Sequence, residues 1–302
     1  MRRSIVARMS KIRIFGKHPA ASYLSWNKRV WERMSRPSFR RARWYADFLH
    51  SLARAQGDRK QAFSTLFLRN RPELELIRRL SCRRGEGSTL RISVLGCSAG
   101  AEVYSILWTI RRARTDLKII MHAMDISREI LEFAERGIYL LETPEYMDAP
   151  VFERLTEEEM QQMFDVSEGQ AKIKSWIKEG VEWRLGDVGD PAMLDLLGPQ
   201  DMVVANNFLC HMEPPEADRC LRNIVRLLNP GGYLFVSGID LDIRTDVALD
   251  LGWEVVPELM EEIHDGDPWL TYHWPWLYAG LEPLDKRRPD WKIRYASCFR
   301  VG

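Results

Sequence analysis

The chain has no C-x-x-C pair: its five cysteines, Cys82, Cys97, Cys210, Cys220 and Cys298, are odd in number and scattered over 302 residues. That argues against a disulfide framework and against a cysteine-rich zinc site, so no metal is expected and a reducing cytoplasm is the natural compartment. No apolar run approaches the roughly 18 residues that a membrane span requires. Neither G-x-G-x-x-G nor G-x-x-x-x-G-K-[ST] occurs, which removes the dinucleotide fingerprint and the phosphate loop of nucleotide hydrolases. Internal repeats and low-complexity tracts are lacking too. The opening MRRSIVARMSKIRIF has arginines without acids, like a transit peptide, but no signal-type apolar stretch, and reads as a basic cytosolic leader.

What is present is ordinary in bulk and uneven along the chain. Hydrophobic residues make up 45% and charged residues 29%, as in globular proteins. Residues 1–91 carry 23 Lys/Arg against 6 Asp/Glu, and the remainder carries 21 against 37. A basic front on an acidic body fits docking of one on the other, or an acidic substrate, nucleic acid or anionic membrane surface. Short arginine-laced helical patterns over Phe39–Leu52 and Leu66–Leu80 lead to the breaker RRGEGS (Arg83–Ser88). This predicts a mainly helical basic region over 1–86 and a second domain over 87–302.

From Leu90 the texture alternates. LRISVLGC, LKIIMHAMD, DMVVANN and GYLFVSG read as buried strands; EVYSILWTIRRA, SREILEFAERGIY and EADRCLRNIVRLL read as helices, the second capped by Ser127. Such alternation predicts a doubly wound, Rossmann-like α/β sheet, mostly parallel, closed by YASCFRV as a last antiparallel strand. Two stretches interrupt it. One, at about 140–180, is polar and glutamate-rich and reads as a small insertion or a pair of surface helices. The other, at about 258–290, is dense in Trp, Tyr and Pro.

In such a sheet, ligands bind beyond the carboxyl ends of the strands, and the sequence marks that edge four times. LGCSAGAE (Leu95–Glu102) allows a sharp turn at Gly96 and Gly100 and presents helix-start amides to an anion. Asp125, followed by Ile126, ends the second strand, where a carboxylate can accept from ribose hydroxyls or cap the next helix. Asp187 and Val188 could meet an adenine edge and face, or simply make a turn. Asn206 and Asn207 end a strand that they are poorly suited to, and can donate and accept near a ligand. Together the marks point to an adenosine-containing cofactor, either S-adenosylmethionine (SAM) or a dinucleotide.

GCSAGAEVYSI followed by HAMDISREILEFAERGIY resembles the core of the CheR-type chemotaxis receptor methyltransferases, with their S-T-G-E-E-P-Y-S loop, S/T-D-I-D strand end and S-G-I-Y helix end. STLFLRNRPELELI is similar to their T-x-F-F-R-D-P-x-x-F segment, DMVVANNFLCHMEP to D-x-I-x-C-R-N-V-L-I-Y-F, and LLNPGGYLFVSG to L-x-P-G-G-x-L-x-x-G. The resemblance runs in order across residues 63 to 238. It implies a SAM-dependent methyltransferase with S-adenosylhomocysteine as product. By that resemblance Thr65 and Arg69 contact SAM, Arg69 on the methionine carboxylate. Gly96, Cys97, Ser98, Gly100 and Glu102 form the loop under the methionine, with Glu102 accepting from the amino group. Asp125 takes the ribose, Asp187 stands where the family usually has Asn beside the adenine, and Asn207 matches the strand-end Asn.

Three departures bear on the acceptor. Asn206 replaces the family's Arg, His211 its Tyr, and Ala101 the first Glu of its G-E-E loop. Arg and Tyr line the acceptor side, so their loss turns the expectation from a receptor glutamate toward a small molecule. His211 is the candidate general base if the acceptor must lose a proton, since imidazole titrates near neutrality. Tyr104 is structural, adjacent to the cofactor or a substrate contact, and Trp269, Tyr272, His273, Trp274 and Trp276 form a candidate acceptor lid. Chemotaxis-type protein-glutamate O-methylation is the alternative, with an acceptor peptide docking on the 140–180 insertion. A SAM-binding regulatory protein whose basic front contacts nucleic acid is the second. A dehydrogenase is the weakest reading, nucleic acid is not the expected partner, and a monomer or homodimer is expected.

Overall fold

The computed structural model describes residues 19–33, 43–56, 59, 63–142 and 151–302. In chain order its first elements are α1 (Pro19–Arg33), α2 (Arg43–Gln56), α3 (Arg71–Cys82), β1 (Thr89–Leu95), α4 (Ala101–Ala113), β2 (Lys118–Asp125), α5 (Arg128–Arg136) and β3 (Ile138–Leu140). Then come α6 (Glu157–Met163), β4 (Phe164–Ser167), β5 (Gln170–Ile173), α7 (Ser175–Lys178), β6 (Val181–Leu185), α8 (Met193–Leu197), β7 (Gln200–Asn206) and α9 (Pro214–Val225). The last are β8 (Leu228–Ser237), α10 (Leu241–Asp250), β9 (Glu254–Val255), α11 (Met260–His264), α12 (Pro268–His273), α13 (Trp291–Tyr295) and β10 (Cys298–Arg300). They group into two compact units, residues 1–60 with 268–284 and residues 61–267 with 285–302. Among the described residues no helix is long and apolar enough to cross a membrane.

The larger unit holds a seven-stranded sheet in the order β6-β2-β1-β7-β8-β10-β9. Neighbours from β6 to β8 run parallel, and β10 is antiparallel to both β8 and β9, the architecture expected from the sequence. Strands β1, β2 and β7 are buried on both faces because helices cover both. On one side Ile92, Val94, Met121, Ala123 and Val204 pack with Leu76 and Ile77 of α3 and Val103 and Leu107 of α4. On the other, Leu95, Met124, Val203 and Ala205 pack with Leu221 and Ile224 of α9 and Val247 of α10. The chain winds outward from β1 to β2 and then returns to β7 on its other side, so the switch point lies between the carboxyl ends of β1 and β7.

Two local readings change. The helix expected from Leu66 starts at Arg71, because Leu68 takes a left-handed φ of 51° and Asn70 caps Glu73 N at 3.3 Å ahead of Pro72. The stretch expected as a plain insertion or two surface helices contains a three-stranded antiparallel sheet, β3-β5-β4. Thr156 and Glu159 form a capping box at the start of α6, and β4 and β5 then meet through Glu168 and Gly169, at φ 50° and 75°. A two-residue turn with both residues left-handed matches the twist of a hairpin, and Gly169 is the residue such a turn favours.

In the smaller unit, Tyr45 Oη donates to Asn27 Oδ1 at 2.6 Å and shares a 2.7 Å hydrogen bond with Tyr23, which joins α1 to α2. Trp274 is buried there, its ring 6.4 Å from that of His50. Gly280 allows this packing: a Cβ on it would sit 2.8 Å from the Trp274 backbone nitrogen.

Candidate functional site

The loop after β1 is built to bend. Gly96 and Gly100 adopt φ of 64° and 82°, Ser98 adopts 48°, and a Cβ on Gly96 would meet Phe208 Cδ1 at 2.7 Å. Four bonds hold the bend. Cys97 N donates to Met124 O at 2.9 Å, Gly100 N to Cys97 O at 3.0 Å, Ser98 Oγ to Phe63 O at 2.7 Å, and Tyr139 Oη to Ala99 O at 2.7 Å. The last explains the GIY that follows α5: Gly137 ends the helix at φ 62°, and Tyr139 reaches back to support the loop.

Asp125 lies beside this loop because Leu95 pairs with Met124 in register. One carboxylate oxygen accepts from Ser98 N at 2.9 Å and the other from Ser127 N at 3.1 Å. Burial pushes its carboxyl above the usual range, against the pull of the Ser127, Ser98 and Ile126 amides. Ser127 caps Ile130 N, as expected, so Asp125 ties the loop to β2 rather than capping the α5 helix proper. Ile126 is exposed.

The segment before α3 enters the same edge. Leu68 N donates to Ser105 Oγ of α4 at 3.0 Å, which fixes this segment against the helix that follows the loop. Arg69 Nε donates to Asp267 at 2.6 Å, and Arg154 donates to the other Asp267 oxygen at 2.7 Å and to the Arg69 carbonyl. Burial pushes the Asp267 carboxyl up, but Arg69 and Arg154 outweigh it and hold the group below its usual range. Asp267 and Arg154 were not singled out in the sequence; no local pattern links residues so far apart.

At the end of β7, Asn206 Nδ2 donates to Glu73 Oε1 at 2.7 Å and to Glu102 Oε1 at 2.9 Å, while its Oδ1 accepts from Ser237 Oγ at 2.8 Å. Burial and the neighbouring Glu102 push Glu73 up to about 8, against the opposing pull of Asn206 and Arg69. Glu102 is raised by burial in the same way. Asn207 adopts φ 60°, and its buried Oδ1 has no hydrogen-bond partner. Glu73 also escaped the sequence reading, because one Glu in the helical run RPELELI looks like a solvated face.

The structure thus brings together Arg69, Gly96, Cys97, Ser98, Gly100, Glu102, Asp125, Asn206 and Asn207 at one sheet edge, with Thr65 in the segment that Phe63 and Leu68 tie to it. Other candidates have plainer surroundings. Asp187 is exposed and turns back to accept from Gly189 N at 2.7 Å, and Val188 is buried with Met193 and Leu221. Tyr104 is fully buried, donating to Ala134 O at 2.6 Å, which is a structural placement and not an acceptor surface. His211, half-buried, ends a short 3₁₀ turn, Leu209–His211, that follows β7 and whose Leu209 and Cys210 are buried. Trp269, Tyr272, His273, Trp274 and Trp276 belong to the smaller unit. Trp269 and Tyr272 are exposed there, and the Trp269 carbonyl lies 2.8 Å from His273 Nδ1.

The donor set suits SAM. A guanidinium at Arg69 could hold a carboxylate, carboxylates at Glu102 and Glu73 could hold an ammonium, and Asp125 could accept from a diol. Two buried atoms, Glu73 Oε2 and Asn207 Oδ1, lack protein partners at that edge.

The family model described as "CheR methyltransferase, SAM binding domain" matches residues 64–240. A "Probable biofilm formation methyltransferase WspC" of Pseudomonas aeruginosa is 28% identical over 57% of this chain and 40% of that protein. A "Chemotaxis protein methyltransferase 2" of the same organism is 28% identical over 64% of this chain and 70% of that protein. A "Chemotaxis protein methyltransferase" of Vibrio parahaemolyticus is 29% identical over 49% of this chain and 53% of that protein. The chain therefore spans only about half the length of two of these three relatives. Among solved structures, the magnesium protoporphyrin IX methyltransferase of Synechocystis with bound SAM matches at 16% identity and a TM-score of 0.35, over 61% of this chain and 71% of that one.

Proposed function

The chain belongs to the CheR methyltransferase family, and from that membership we propose that it transfers the methyl group of SAM to a side-chain carboxylate of a protein. The observation that carries this reading is the match of residues 64–240 to the family's SAM-binding domain, a span that contains every sheet-edge residue from Thr65 to Asn207. SAM supplies an already activated sulfonium methyl, so the protein's task is to hold and align. In this reading Arg69 takes the methionine carboxylate, Glu102 the ammonium and Asp125 the ribose hydroxyls, while the Gly96–Gly100 bend lets the backbone come close. The names of the relatives favour a protein acceptor over the small molecule that Asn206 and His211 led us to expect. A carboxylate is already ionised at neutral pH and needs no base. His211 then serves as an acceptor-side contact, whereas an alcohol or amine acceptor would make it the general base.

The test is to incubate the chain with methyl-labelled SAM and, separately, the macromolecular fraction and the small-molecule filtrate of a cell extract. Carboxyl methyl esters hydrolyse in alkali and release volatile methanol. Label in the protein fraction that alkali releases supports the reading. Label confined to the filtrate, or stable to alkali, overturns the acceptor assignment.

A further inference from the structure

Glu73 has a role that the alignment of the methyl group does not use. It sits in the first turn of α3, 4% exposed, with Oε1 bound to the Asn206 amide at 2.7 Å and Oε2 buried without a partner. The same amide reaches Glu102 of α4 at 2.9 Å, so two carboxylates meet across one neutral group at the end of β7. Arg69 is the cation whose field reaches both, and its Nε edge is committed to Asp267. From β10, Cys298 faces Glu73 as a thiol pushed well up by burial and then by that carboxylate. From β8, Ser237 spends its hydroxyl on Asn206. Where the family resemblance has an arginine, Asn206 brings an amide and no charge. The acid pair is therefore undercompensated, and two adjacent buried carboxylates resist being ionised together.

We propose that Glu73 and Glu102 together form the seat of the SAM α-ammonium, with the Asn206 amide holding the two carboxylates side by side, and that the pair sheds its shared proton when the ammonium docks. This rests on the SAM-binding reading above. The balance is simple. The O–H bond of the protonated carboxyl breaks, the proton passes to solvent, and the ammonium N–H groups donate to the carboxylate oxygens left behind. The pair goes from one negative charge to two as the ligand end brings one positive charge. No bond to carbon or sulfur changes.

The experiment is titration calorimetry of SAM into the full chain at pH 7, in phosphate and in Tris, whose ionisation enthalpies differ widely. The expected result is release approaching one proton per SAM bound. 5′-Methylthioadenosine has the adenosyl group and sulfur but no amino-acid end, and should release none. Glu73→Gln should still bind SAM but lose most of the release and flatten the pH dependence of its affinity, and Glu73→Asp should restore part of both. If Glu73→Gln fails to fold, the comparison of SAM with methylthioadenosine on the natural chain still decides. Equal SAM enthalpies in both buffers, equal release by methylthioadenosine, or undiminished release by Glu73→Gln overturns the inference while leaving SAM binding intact. No SAM binding at all overturns the underlying reading and this inference with it.

Discussion

Replacing Asp125 with alanine removes the acceptor for two backbone amides, Ser98 N at 2.9 Å and Ser127 N at 3.1 Å. Each amide stranded away from water costs about 1–3 kcal/mol, and water can reach part of this edge, so the ligand-free chain should lose about 2–4 kcal/mol of stability. For a unit of this size roughly 2–4 °C accompany each kcal/mol, which places the fall in Tm at about 4–16 °C. Asp125→Asn keeps one carbonyl oxygen and should lose about half as much, leaving enough folded protein for a binding assay. There the loss of a charged acceptor for the ribose should weaken SAM by about 1.5–3 kcal/mol, roughly 10- to 150-fold in Kd. Calorimetric melting without ligand, followed by SAM titration of Asp125→Asn, separates the two roles. An alanine variant melting within 1 °C of the natural chain would refute the structural tie, and an asparagine variant with unchanged Kd would refute the ribose contact.

Gly96→Ala should both strain a φ of 64° and drive a methyl to 2.7 Å from the Phe208 ring. We expect about 1–3 kcal/mol lower stability and a larger loss of SAM affinity, read by urea unfolding and calorimetry. Tyr104→Phe should cost about 1–2 kcal/mol, because it removes the buried 2.6 Å bond to Ala134 O, yet leave SAM affinity unchanged, as titration can check. For Glu73 the sign follows from a folded pKa of about 8 against an ordinary 4.5: the folded state holds a proton that the unfolded chain has released. Its contribution is full below the unfolded value and is lost as pH rises through the folded one. Urea midpoints of the natural chain should therefore fall relative to Glu73→Gln between pH 5.5 and pH 9, and parallel curves would refute the assignment.

The sheet was legible because its central strands are buried on both faces, so LRISVLG, KIIMHAMD and DMVVANN read as apolar runs ended by ligand-type residues. The glycine bend and Asp125 were legible for the same reason, since a strand end in this fold predicts where a ligand lies. The β4–β5 hairpin was missed because FDVS and QAKI are short and polar, and only Glu168–Gly169 betrayed the turn. Glu73, Arg154 and Asp267 were missed on different grounds. Their chemistry arises from partners 29 to 198 residues away, in Glu102, Asn206 and Arg69, and helical periodicity treats such residues as surface. For Asp125 spacing offered a ribose contact or a helix cap, whereas its oxygens accept from the Ser98 and Ser127 amides and the cap itself is Ser127.

Where the adenosyl group lies decides the matter most directly, and a crystal structure of the chain with S-adenosylhomocysteine measures that. The expected density has the ribose hydroxyls within hydrogen-bond reach of Asp125, the amino group against Glu102 and Glu73, and the carboxylate on Arg69. Density elsewhere on the molecule, or a chain that takes up no S-adenosylhomocysteine in calorimetry, would contradict it.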